Sequence, residues 1–255
     1  MELSLAKLLS ALLTIGARIS GLMLFMPFFS HSAVPIRIKA ALVASITAVL
    51  YPVVSPRLQT APPTSWPWLL GSELLVGIVM GIATNLVFEG VQMAGHVMSV
   101  QMGYSLVNIL DPQTQVDTTV ISVFTQLIAV MIFLALDVHH WILRLLTQSF
   151  ETIPPGTAHF GATFTGKVAY ACGGIFSIGV QIAAPVLTAT IVADLLLGLL
   201  SKAAPQLPIL FLGPGIKAML SVVLLSAALP YWPRVFAHLF QETTAVSERL
   251  LLLAR

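Results

Sequence analysis

Charged side chains are scarce in this sequence. Its 255 residues include 12 Lys or Arg and 10 Asp or Glu, so 9% of the chain is charged while 57% is hydrophobic. An ordinary soluble domain carries charge at about a quarter of its positions. We therefore expect lipid or partner proteins to cover most of the exterior, and the scarcity of charge argues against an independent soluble fold.

The sequence also lacks features that several functional classes require. The net charge is only +2 and the basic residues are dispersed, so a nucleic-acid partner is not expected. The single Cys172 excludes an intramolecular disulfide and is most simply a small packing residue. The sequence contains no phosphate-binding loop, no Cys/His ligand spacing and no nucleophile elbow. We predict neither an enzyme nor a cofactor.

The sequence contains one pair of adjacent histidines. His139 and His140 are adjacent, so on a helix their side chains should point about 100° apart and not share one ion. We interpret them as an interfacial pair beside Asp137 and Trp141, and predict no metal.

The apolar content is arranged in long runs. Seven stretches without a charged residue mark the candidate spans: Ile19–Ile36, Ala40–Pro56, Leu74–Phe88, Gly90–Leu110, Thr118–Leu136, Val168–Ala193 and Ala218–Pro233. A straight crossing needs about 20 residues, so several runs are short, and many prolines should stop or kink the helices. We predict a single all-α, membrane-associated unit over residues 1–255, with about six apolar helices broken by prolines. The charge bias is too weak to give an orientation.

The N-terminal run is expected to be retained as a first helical segment. Lys7 precedes apolar residues, as in a secretion signal, but a clear small-residue cleavage site is lacking and Arg18 interrupts the run.

The most informative stretch is Gly71–Asp117. It contains Gly77 and Gly81, a small-xxx-small spacing that lets helix backbones approach closely. A stripe of polar or small residues then follows at helical intervals: Glu89, Gln92, His96, Ser99 and Gly103. Ionisable groups at membrane depth usually face a bundle interior or an aqueous path. The stripe therefore indicates either a helix beside a pore or interhelical hydrogen bonds in a packed bundle.

The stripe leads into an Asp-Pro break. Pro112 biases Asp111 away from helix, and Gln113, Thr114 and Gln115 suit an irregular connection. Local chemistry alone favours a plain turn. The alternative is a loop whose apolar side chains, Leu106, Val107, Ile109 and Leu110, seal a channel.

Isolated charges also occur farther along the chain. Asp194 and Lys202 lie eight residues apart, too far for direct pairing, and we interpret both as structural. The stretch Phe236–Leu253 is amphipathic, with Glu242, Glu248 and Arg249 at its polar edge.

Several ordered motifs resemble one family. The run from Gln101 to Pro112, in which Gln-Met-Gly-Tyr-Ser leads to Asp-Pro, resembles a segment of FliR proteins. Three more pieces are similar: Ala193–Leu207 followed by Leu210–Gly213, Pro27 with Val34–Lys39, and Glu73 with the two glycines. Together they cover nearly the whole chain, in order.

The resemblance implies membership of the flagellar type III export gate in the bacterial inner membrane, at the flagellar basal body. The expected partners are P-type and Q-type gate subunits, the B-type export protein, membrane lipid and unfolded flagellar substrates. It further implies a plug at Leu106, Val107, Asn108, Ile109, Leu110, Asp111, Pro112, Gln113, Thr114 and Gln115. Gln101, Met102, Gly103 and Tyr104 would lead to that plug.

Two rivals remain. The homologous subunit of a virulence injectisome would share fold and mechanism. A small-solute secondary transporter is suggested by the broken helices and by Glu89 or Asp194 at possible membrane depth, although no internal repeat is found.

Overall fold

The computed structural model describes residues 2–26, 34–57, 66–103, 119–206 and 209–253. Within these ranges the chain forms helices and contains no strand, which confirms the all-α prediction. The helices are α1 (Glu2–Phe25), α2 (Ile36–Val54), α3 (Trp66–Gln101), α4 (Val120–Ala135), α5 (Val138–Thr152), α6 (Ala162–Ala203), α7 (Ile209–Ala228) and α8 (Trp232–Leu253), with 3-10 turns at Ser55–Arg57 and Leu229–Tyr231.

Five of the described helical segments are long and apolar enough to cross a membrane: Leu8–Phe25, Ile36–Val54, Trp66–Gln101, Ala162–Ala203 and Leu212–Leu253. A sixth crossing results if α4 and α5 form one broken span. The prediction of about six apolar helices is thus confirmed. With 36 residues, α3 is about 54 Å long at the usual helical rise and exceeds the bilayer hydrocarbon of about 30 Å.

Some predicted helix ends were wrong because a charge was taken as a break. Helix α1 runs through Arg18, whereas the first apolar run was placed at Ile19. Helix α3 continues through Glu89 and so joins two runs that were predicted to be separate. An ionisable residue remains helical in an apolar segment when it faces a partner or an aqueous surface, so charge alone does not mark a helix end.

Prolines end some helices and not others. Helices α5 and α6 end at Thr152 and Ala203, just before Pro154 and Pro205, as predicted. By contrast, α2, α6 and α7 contain Pro52, Pro185 and Pro214. Neighbouring groups can satisfy the carbonyl that an internal proline frees, so apolar helices tolerate this residue.

The chain divides into two compact units. The first comprises Met1–Leu86, Asp137–Gly173 and Phe240–Arg255, and the second Val87–Leu136 and Gly174–Leu239. The first unit buries Ile19, Leu22, Met80, Leu146 and Phe150, and the second buries Val91, Met98, Phe133, Ala183 and Val186. Helices α3 and α6 contribute residues to both units. The single domain over residues 1–255 remains a prediction.

Large apolar side chains are also abundant on the surface. Tyr170 in α6 and Ile36 in α2 are 82% and 80% exposed, and Met219 in α7 is exposed as well. Soluble monomers rarely leave wide apolar areas uncovered. In α8 the exposed Glu242, Glu248 and Arg249 alternate with buried residues, in agreement with the predicted amphipathic pattern.

Candidate functional site

An ion pair lies at the centre of the first unit. Arg18 of α1 and Glu73 of α3 both have fully buried side chains. The Arg18 Nε atom donates a hydrogen bond of 2.8 Å to Glu73 Oε2, and Nη2 lies 2.7 Å from the same oxygen. Two charges in an apolar interior are tolerated only when they are paired and their remaining polar atoms are satisfied.

The end of α5 supplies those remaining partners. Arg18 Nη1 donates to Ser149 Oγ at 2.9 Å, and Nη2 donates to the carbonyl oxygen of Ile153 at 3.1 Å. The guanidinium carbon lies 4.0 Å from the ring centroid of Phe150, a cation–π distance. The amide of Gly156 donates to Glu73 Oε1 at 3.3 Å. The pair therefore joins α1, α3 and the turn that Pro154 and Pro155 impose after α5.

Sequence reasoning missed this cluster. Glu73 was singled out only through the family resemblance, and Arg18 only as an interruption. Arg18 and Glu73 are 55 residues apart in the chain, so no local pattern connects them. The available signal was that two unlike charges each lie in an apolar run and each need a partner.

Gly77 and Gly81 face α1 at close range. A Cβ atom added at Gly77 would overlap the carbonyl oxygen of Arg18, and one at Gly81 would lie 2.7 Å from the carbonyl oxygen of Leu22. On the α1 side, a Cβ added at Gly21 would overlap the carbonyl oxygen of Leu74. The helix backbones approach closely here because three glycines lack side chains.

The predicted polar stripe of α3 divides in the structure. Glu89 and His96 are exposed, Gln92, Gln101 and Gly103 are half-buried, and Ser99 and Met102 are buried. The exposed face is completed by Val100 instead of Ser99. At 100° per residue, Val100 lies about 20° from Glu89 around the helix axis, whereas Ser99 lies about 80° away.

From Val87 onward, α3 belongs to the second unit, and the face opposite Glu89 and His96 is packed there. A Cβ atom added at Gly90 would lie 2.8 Å from Ile178 Cβ. One added at Gly95 would lie 2.9 Å from Ser122 Cβ. Phe88 meets the ring of Phe133 edge-on, with centroids 5.5 Å apart. These contacts pack that face against α4 and α6, whereas Glu89 and His96 are exposed.

The Gln-Met-Gly run ends α3. The amide of Met102 bonds to the carbonyl of Met98 at 2.9 Å, and Gly103 has a φ of +87°. A left-handed residue after the last turn is the usual way to terminate a helix, and glycine adopts it without strain. Tyr104 and the ten predicted plug residues, Leu106 to Gln115, lie outside the described residues.

Asp194 has a partner that the sequence did not indicate. Its Oδ1 atom lies 2.9 Å from Lys217 Nζ of α7, while Lys202 stands at the end of α6. The Asp194 side chain is half exposed. Such a pair ties two helices of the second unit together but contributes little free energy, because water screens it.

We expect this pair to have a small effect. Asp194→Asn or Lys217→Met should each lower the free energy of unfolding by no more than about 1 kcal/mol, as for other water-accessible ion pairs. The exchanged double variant, Asp194→Lys with Lys217→Asp, should restore wild-type thermal stability in detergent. A complete loss of function in either single variant, with stability unchanged, would instead indicate a direct role in transport.

Comparison with known proteins agrees with the sequence motifs. Residues 9–243 match the model of a family described as bacterial export proteins, family 1. The flagellar biosynthetic protein FliR of Pectobacterium carotovorum subsp. carotovorum is 32% identical over 88% of this chain and 86% of its own length. FliR of Escherichia coli K12 is 30% identical over the same shares. The secretion system apparatus protein SsaT of Salmonella typhimurium is 25% identical over 76% of each chain. The chain therefore belongs to the FliR family of bacterial export proteins.

Proposed function

We propose that this chain is a structural, channel-forming subunit of the flagellar type III export gate in the bacterial inner membrane, at the flagellar basal body. In this role it serves flagellar biosynthesis by translocating unfolded flagellar proteins. Family membership supports a place in an export apparatus. The observation that carries the proposal is the exposed Glu89–His96 face of α3, the helix that precedes residues 104–118 in the sequence.

The apolar surface supports assembly with other membrane subunits. Exposed residues such as Ile36, Tyr170 and Met219 occur on three helices and have no cover within the described chain. Burial of apolar side chains against partner helices would remove this surface from water or lipid, and close packing is what drives association in membranes. We propose P-type and Q-type gate subunits as those partners, with the B-type export protein beside them.

We further propose that residues 106–115 plug the gate. Glu89, Gln92 and His96 would line the approach, with Ser99, Gln101, Met102, Gly103 and Tyr104 leading to the plug. Apolar Leu106, Val107, Ile109 and Leu110 would exclude water and ions until a substrate enters. The mechanism is passive, so the chain performs no chemistry and other components supply the energy.

Assembly can be tested by co-expression. When the chain is produced with P-type and Q-type subunits of the same organism, we expect a stable complex that contains one copy of it. Native mass spectrometry measures the stoichiometry directly. Recovery of the chain only as an isolated monomer, while the P-type and Q-type subunits associate with each other, would count against the gate.

The similarity to SsaT supports an injectisome subunit as a second candidate. Deletion of the chain in its own organism distinguishes the two systems. We expect loss of swimming and of filament-protein export, with secretion of virulence effectors unchanged. The reverse pattern would assign the chain to an injectisome.

A further inference from the structure

We propose that Asp137, His139 and His140 form a binding site for a divalent transition-metal ion of the zinc class. These three residues lie in the first unit, where α5 begins. They are the one group of three potential ligands found among the described residues whose ligand atoms all lie within 4.8 Å of one another. The expectation that adjacent histidines diverge too far to share an ion therefore did not anticipate this geometry.

The backbone at Asp137 brings the ligands together. This residue has a φ of 53°, and among the described residues it is the only one with a side chain at positive φ. Asp is one of the few side-chain-bearing residues that tolerate this region. Asp137 stands at the N-cap of α5, yet its side chain makes no capping hydrogen bond. Its carboxylate faces the two imidazoles instead.

Two of the ligand separations are close to those around a tetrahedral ion. Asp137 Oδ1 lies 3.4 Å from His140 Nδ1 and 3.8 Å from His139 Nε2. Zinc bonds to nitrogen and oxygen are about 2.0–2.1 Å, which puts neighbouring ligands of a tetrahedron about 3.3 Å apart. The two separations exceed the usual N–H···O hydrogen-bond range of about 2.7–3.2 Å. Small side-chain rotations would complete the three bonds.

The chemistry of the set favours a zinc-class ion. Two imidazoles and one carboxylate are nitrogen and oxygen donors that Zn²⁺ accepts, and Ni²⁺ and Cu²⁺ bind such sites as well. The side chains of Asp137, His139 and His140 are 68%, 37% and 59% exposed, so water can occupy the open coordination positions. A bound ion would fix the turn from which α5 starts. Helix α5 carries Ser149, so the ion would also steady a partner of Arg18.

Zinc titration of the full-length chain tests this site. The chain is purified in detergent without a histidine tag, and ZnCl₂ binding is measured by isothermal titration calorimetry. Two variants remove ligands: His140→Ala, and Asp137→Gly, which keeps the positive φ while deleting the carboxylate. His159→Ala is the matched control, because His159 is an exposed histidine outside the cluster. Elution volume and helical circular dichroism verify that each variant is folded.

We expect one Zn²⁺ per wild-type chain, and an affinity lower by roughly tenfold or more in both ligand variants, since even outer-shell changes often cost 10- to 100-fold. His159→Ala should bind as the wild type does. Zn²⁺ should also raise the melting temperature of the wild type but not of Asp137→Gly. Absence of binding to the wild type, or equal affinity in His140→Ala and His159→Ala, would overturn the site. Neither result would bear on the gate function, which is measured by swimming and co-assembly.

Discussion

Replacement of Arg18 by Met is expected to lower the stability of the chain by about 3–5 kcal/mol, the usual cost of breaking a buried ion pair. The variant leaves the Glu73 carboxylate fully buried with no opposite charge. It also removes the donors to Ser149 and to the Ile153 carbonyl, so the turn after α5 loses its attachment to α1. The loss of stability is measured by thermal unfolding of the chain purified in detergent, with size-exclusion chromatography as the readout.

Three further variants test whether loss of the ion pair itself causes the destabilisation. Glu73→Leu alone should be as damaging as Arg18→Met, because it leaves the opposite charge unpaired. The double variant Arg18→Met with Glu73→Leu should recover much of the stability, since a buried pair can often be replaced by apolar residues of similar volume. Arg144→Met is the control, because Arg144 is exposed on α5. Equal melting temperatures for Arg18→Met and Arg144→Met would contradict this interpretation.

Gly77→Val is expected to be the most disruptive substitution in α3. Any Cβ at this position would overlap the carbonyl oxygen of Arg18, and that oxygen belongs to the rigid α1 backbone. Gly77→Ala should already cost about 1–3 kcal/mol through overpacking, and the larger valine more. We expect little accumulation of the Gly77→Val protein in membranes and no swimming.

Gly71 provides the matched control. It lies six residues earlier in the same helix, and an added Cβ would meet nothing within 4 Å. Gly71→Ala should be neutral or stabilising by up to about 1 kcal/mol, because alanine favours helix over glycine. Membrane levels by immunoblot and melting temperatures compare the two positions. If Ala and Val variants at Gly77 had the same membrane levels and melting temperatures as those at Gly71, α1 and α3 would not approach closely.

The two central features of the first unit differ in how far sequence could predict them. The spacing of Gly77 and Gly81 is local, so it indicated a close helix approach directly. The Arg18–Glu73 pair depends on which helices become neighbours, and no periodicity within either helix contains that information. The same gap explains the misplaced ends of α1 and α3, where charge was interpreted as interruption because the partner or exposed surface was unknown.

The polar stripe was predicted in part. Its spacing placed Glu89, Gln92 and His96 on one helical side, and the structure leaves Glu89 and His96 exposed. Ser99, which was placed on the same stripe, is buried; it lies about 80° from Glu89 around the helix axis, at the margin of the stripe. The close approach of the Asp137, His139 and His140 side chains was not predicted, for another reason. This geometry requires the left-handed backbone of Asp137, which the sequence alone does not predict.

Ion conductance of the assembled gate tests the central claim most directly. Complexes with P-type and Q-type subunits, containing either the intact chain or one lacking Asn108–Gln115, are reconstituted into planar bilayers at equal amounts. A variant with the same eight positions replaced by Gly and Ser controls for chain length. We predict that the intact gate is closed, and that both altered gates assemble normally but conduct small ions, because Ile109 and Leu110 of the apolar seal are lost. A fully assembled deletion gate with the same conductance as the intact gate would contradict the assignment of this segment as the plug.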